Sequence, residues 1–204
     1  KLSQGDEAGA LKDFEEALRA DPRDYAANFN RAELHWRAGR IDDALADYRA
    51  VMAAPKLTVE AALAVGDRYL SLQQWKDAVD AYGRAHDLGG GAASLARRAG
   101  AWEAAKDLKG ALDDLDAAVK LDPGSAPILA ARGALLARMG RERAALLDLM
   151  SAVRLAPSDP AVLIARAGFY ARTDKPTLAL EDFNAAIAAD AANAEAYNGR
   201  GALY

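Results

Sequence analysis

A short segment recurs along this chain at an almost fixed interval, and that interval constrains the fold more than any other feature. Ala44-Leu45-Ala46-Asp47-Tyr48 returns as Ala78-Val79-Asp80-Ala81-Tyr82, Ala111-Leu112-Asp113-Asp114-Leu115, Ala145-Leu146-Leu147-Asp148-Leu149 and Ala179-Leu180-Glu181-Asp182-Phe183, with an earlier copy at Ala10-Leu11-Lys12-Asp13-Phe14. The leading alanines stand at 10, 44, 78, 111, 145 and 179, so the differences are 34, 34, 33, 34 and 34. A small residue follows each aromatic or leucine by three: Ala17, Val51, Ala85, Ala118, Ala152 and Ala186. Pro22, Pro123 and Pro157 come five residues later, where proline ends a helix. A period of this length marks a supersecondary unit that buries its apolar face only against its neighbours.

Each segment is preceded by a second helical stretch: Tyr25 to Ala38, Val59 to Leu72, Pro127 to Met139 and Pro160 to Arg172 are examples. Their apolar residues recur at three- and four-residue spacing. Asp159 before Pro160 reads as an N-cap followed by a first-turn proline, and Pro176 falls at the start of another helix. Gly39-Arg40 and Gly140-Arg141 read as turns between the two helices of a unit. Hydrophobic residues make up 52% of the 204, but only 7% are aromatic, so the core is built on alanine and its helices pack closely.

These residues resemble the tetratricopeptide repeat, whose signature is W-x2-L-G-x2-Y, then A-x3-F, a further small residue and P. The second-helix half matches best, in the alanine, aromatic or leucine and small residues quoted above. The first-helix half matches at its small position through Ala32, Gly66, Ala99, Gly133, Ala167 and Gly201, with His35, Tyr69, Trp102, Leu136, Tyr170 and Tyr204 at its aromatic position. No copy has the leading tryptophan, and arginine usually replaces the leucine. The resemblance implies an all-α, right-handed α-solenoid of about twelve helices. It would form a single domain over 1–204: a half repeat at 1–24, full repeats at 25–58, 59–91, 92–125, 126–159 and 160–193, and a half repeat at 194–204. Lys1 and Tyr204 then share one register, and the truncated ends favour head-to-tail self-association.

The substituted arginines suggest a pairing. They are Arg31, Arg98, Arg132, Arg166 and Arg200, while Asp47, Asp114, Asp148 and Asp182 precede the aromatic or leucine of the second helix. The repeat at 59–91 has Val65 and Ala81 instead, so both charges vanish together. This predicts ion pairs within a repeat: Arg31–Asp47, Arg98–Asp114, Arg132–Asp148 and Arg166–Asp182. Pairing with the preceding repeat would leave Asp47 against Val65 and Arg98 against Ala81.

By the same resemblance, the first helices line a concave groove that takes a protein or peptide. Its N-terminal half is aromatic and acidic through Phe29, Trp36, Glu33, Glu60 and Asp67, with Asn30, Arg37 and Leu63 beside them. Arg97 follows in the next repeat. The C-terminal half is a strip of alanine and glycine, including Ala130, Ala131, Ala134, Ile164, Ala165 and Gly168, with Arg138 and Arg172 one repeat apart. A carboxylate clamp of the kind known in the family does not fit, because Phe29, Glu33, Ala64, Ala93 and Arg97 occupy its places and only the arginine matches.

Signs of chemistry are few. A net charge of −4 does not point to nucleic acid, and no apolar run approaches the roughly 20 residues of a membrane span. There is no cysteine, and the two histidines, His35 and His86, lack metal-ligand spacing. Gly89-Gly90-Gly91 lacks the lysine and strand of a phosphate loop and reads as a flexible linker. Carboxylates such as Asp42 and Asp43 fall at helix starts, where the macrodipole favours them. The expectation is a non-catalytic scaffold without metal or cofactor, binding a peptide or partner protein. The alternatives are a regulatory or targeting arm of a larger enzyme and an architectural assembly element. Its alanine- and arginine-rich usage suggests a bacterial source, and the compartment is not legible.

Overall fold

The computed structural model describes residues 7–204, and every regular element among them is helical. The register expected for Lys1 lies outside the described residues. The chain divides into two compact units, and the division falls between Gly90 and Gly91.

The first unit holds α1 (Glu7–Ala20), α2 (Tyr25–Arg37), α3 (Ile41–Met52), α4 (Val59–Ser71) and α5 (Trp75–Ala85), closed by a π-helical turn at His86–Gly90. The second holds α6 (Gly91–Ala104), α7 (Leu108–Leu121), α8 (Ala126–Arg138), α9 (Glu142–Leu155), α10 (Pro160–Arg172), α11 (Pro176–Ala189) and α12 (Ala194–Gly201). The triglycine is therefore part of a tight turn: Gly89 has φ of 100° and Gly91 of 59°, backbone that only glycine adopts readily.

Local chemistry starts these helices, and the N-cap expected at Asp159 forms. Asp159 accepts from the Ala161 and Val162 amides, Asp24 from those of Ala26 and Ala27, and Thr58, Asp107 and Asn193 cap α4, α7 and α12. The turn inside each full repeat is closed by one left-handed residue at matching register: Gly39, Gln73, Lys106, Gly140 and Asp174. Glycine occupies only two of these five places, so the other three carry side chains in a conformation that costs them stability.

Within each unit the repeat alanines form the spine of the core. Ala44, Ala78, Ala111, Ala145 and Ala179 are all fully buried, as are Tyr48 and Leu149. The small position of the first helix lets the partner helix approach. A Cβ added to Gly66 would sit 2.5 Å from the Tyr82 ring, and one on Gly133 would sit 2.8 Å from Leu149. The alanine-rich composition thus sets the distance at which paired helices meet.

Candidate functional site

The four arginine–aspartate pairs all form, each bidentate and within its own repeat. The Arg31 Nε and Nη2 groups donate to Asp47 at 2.8 and 2.6 Å, and Arg98 does the same to Asp114 at 2.7 and 2.6 Å. Arg132 reaches Asp148 at 2.7 and 2.9 Å, and Arg166 reaches Asp182 at 2.8 and 2.7 Å. All four aspartates are buried. Hydrogen bonds to these carboxylates hold the Arg31, Arg132 and Arg166 guanidinium groups above their ordinary pKa, outweighing the opposing effect of burial. In the repeat that lacks both charges, Val65 and Ala81 are buried instead. Arg132 also donates through Nη1 to Asp116 at 2.9 Å, so it ties α8 to the preceding repeat as well. These arginines are engaged inside the scaffold, which leaves little of them for a partner.

A second kind of lock joins neighbouring repeats, and sequence reasoning missed it. Glu33 is buried, and Arg68 grips its carboxylate at 2.7 Å through both Nε and Nη2. The Tyr48 hydroxyl donates to the same carboxylate at 2.7 Å. Burial raises the Glu33 pKa, but the hydrogen bonds from Arg68 and Tyr48 prevail and hold it below the ordinary carboxylate value. Burial, and then the bond to Glu33, pushes the Tyr48 hydroxyl well above its ordinary value. The Arg68 guanidinium lies 4.3 Å over the Trp36 ring. Phe29 is half-buried, tilted against Tyr48 at 6.1 Å between ring centroids. In unit 2, Arg138 of α8 pairs with Glu103 of α6. Glu33–Arg68 and Glu103–Arg138 are both 35 residues apart, one more than the repeat. A search for opposite charges at that spacing finds them.

The expected partner-binding residues therefore fall into two groups. Glu33, Trp36 and Phe29 are absorbed into this aromatic and ionic cluster, and Arg138 into its own pair. Asn30, Arg37, Glu60 and Arg97 are exposed, Leu63 is half-buried, and exposed Asp67 accepts from the Tyr82 hydroxyl at 2.7 Å. Arg172 is exposed at the end of α10.

The strip of small residues does form an open hollow in unit 2. A cavity of about 640 Å³ lies across α8, α10 and α12, with Ala130, Ala131, Ala134, Ile164, Ala165 and Gly168 on its floor and Arg172 at its edge. Asp159, Phe183, Glu195 and Asn198 are also among its lining residues. Glu195 and Asn198 were not anticipated, because they belong to the terminal half repeat, where the register gives little to compare. Among the described residues no cluster of His, Cys, Asp or Glu could hold a metal ion, and no helix is long and apolar enough to cross a membrane.

Comparison with known proteins agrees with this geometry. No curated protein matches the chain in sequence. Solved structures match it in fold. The chain is 20% identical to a thermophilic tetratricopeptide protein of Thermus thermophilus, TTC0263, covering 88% of this chain and 98% of that one with a TM-score of 0.69. A tetratricopeptide repeat protein from Parabacteroides merdae is 17% identical over 98% of this chain and 78% of its own, with a TM-score of 0.66. YrrB, described as a tetratricopeptide protein with an unusual peptide-binding site, is 21% identical over 92% of this chain and 97% of its own, with a TM-score of 0.60. Such identities show the fold alone. The tetratricopeptide repeat model matches residues 1–56 and 63–126, more than half of the sequence. With the period, the paired helices and the small-residue contacts, this places the chain in the tetratricopeptide repeat family.

Proposed function

We propose that this protein is a non-catalytic scaffold that holds a peptide or partner protein in the hollow across α8, α10 and α12. The observation that carries the reading is the open cavity of about 640 Å³, floored by small residues where a partner's backbone can come close. In unit 1 the matching face is filled by its own Trp36, Arg68 and Glu33. Hot-spot energy is expected around the cavity and Arg172. The peptide site named for YrrB belongs to that protein, and only the idea of a groove is carried over.

The test is to select binding peptides from a display library and measure them against variants of the protein. Filling the hollow with Ala134→Trp or Ala165→Trp should weaken binding at least tenfold, whereas Phe29→Ala with Trp36→Ala should change it little. Equal binding by both tryptophan variants would overturn the reading. A second reading, assembly through the outer face, is favoured by Leu147 and Met150, which lie one turn apart on α9 and are 68% and 53% exposed. Loss of partner recovery with Leu147→Glu and Met150→Glu, and not with the groove variants, would select it.

A further inference from the structure

One residue of the hollow is not explained by the fold. Gly168 sits inside α10, where glycine costs helix stability relative to alanine. The packing does not require it, because a Cβ built there would meet no heavy atom within 4 Å. Gly66 and Gly133 differ, since a Cβ on either would strike the neighbouring helix. The space kept open by Gly168 faces the cavity.

The ends of the hollow carry opposite charge. Arg172, in the last turn of α10, and Glu195, in the first turn of α12, are both exposed. Among the described residues neither makes an ion pair. Both signs suit the helix macrodipoles, and an occupant meets the same two charges. Between them the floor offers methyl groups, and its backbone is committed to its own helices, with Asn198 as the exposed amide. An extended peptide pressed on that floor would leave its own N–H and C=O groups without partners. A helix satisfies them internally.

We infer that the occupant is an amphipathic α-helix of a partner protein, which sets a small residue against Gly168, a carboxylate towards Arg172 and a basic side chain towards Glu195. This rests on the groove reading above and adds the form and polarity of the partner to it.

Two display libraries of sixteen-residue peptides test it, one alanine-rich and helix-forming with a randomised face, the other interrupted by proline so that no helix forms. Enrichment is expected from the helical library, in sequences with acid and base at opposite ends. Gly168→Ala should raise the unfolding midpoint of the protein yet weaken the best helical peptide about tenfold. Arg172→Glu with Glu195→Lys should shift preference to the charge-reversed peptide. Equal enrichment of the proline library, no enrichment of either, or full affinity in Gly168→Ala would overturn the inference. If affinity survives Gly168→Ala but falls in Ala165→Trp, the groove stands without its helix. If it survives both, the groove reading falls too.

Discussion

Replacing Arg166 with valine leaves the Asp182 carboxylate buried without its bidentate partner. The Asp182 side chain is 7% exposed and that of Arg166 is 22% exposed, so water reaches the guanidinium but hardly the carboxylate. Breaking a fully buried pair costs about 3–5 kcal/mol, and the partial access here lowers the expectation to about 2–3 kcal/mol. Asp182→Ala should cost less, about 1–2 kcal/mol, because the arginine can turn its head into solvent while its stem keeps packing. The double variant Arg166→Val with Asp182→Ala copies the solution already present at Val65 and Ala81, both at most 1% exposed. It should cost only about 1 kcal/mol, well under the sum of the singles, giving a coupling of about 2–4 kcal/mol. Urea unfolding followed by circular dichroism measures the total. Hydrogen exchange at α10 and α11 amides shows whether the loss is local, as expected for a repeat array. An Arg166→Val cost below about 0.5 kcal/mol, or a double variant equal to the sum, would refute the lock.

The Glu33 carboxyl is held below its ordinary value of 4.5, so its contribution to stability is present above that pH and is lost as pH falls through the folded-state value. Glu33→Gln should therefore be destabilised against wild type at pH 7, with the gap closing as pH falls below 4.5 in urea titrations at stepped pH. The glycines should separate in thermal unfolding. Gly66→Ala forces a methyl into the Tyr82 ring and should cost about 1–3 kcal/mol, whereas Gly168→Ala should gain about 0.5–1 kcal/mol. Lys106→Gly relieves a left-handed side chain at φ of 65° and should stabilise by up to about 1 kcal/mol, as read by the unfolding midpoint.

What could be read from the sequence was whatever the period repeats. The alanines at 34-residue spacing located the paired helices, and the joint loss of charge at Val65 and Ala81 was enough to pair four arginines with four aspartates. Features that occur once or cross the period were hidden. Glu33 looked like a groove residue because its register faces inward, yet Arg68 and Tyr48 claim it from two other helices. The left-handed residue in each turn was legible at Gly39 and Gly140 but not at Gln73, Lys106 or Asp174, where context overrides the preference of the residue. The triglycine read as a linker because composition does not reveal a π-turn. On the hollow, the small floor was legible from the register, whereas Glu195 and Asn198 depend on how α12 lies beside α10.

Backbone amide and alanine-methyl shifts, recorded as a selected helical peptide is added to the labelled protein, test the central claim most directly. The account predicts that the largest changes fall on Ala134, Ala165, Gly168 and Arg172, with the outer face undisturbed. Changes concentrated around Leu147 and Met150, with those four positions unmoved, would contradict it.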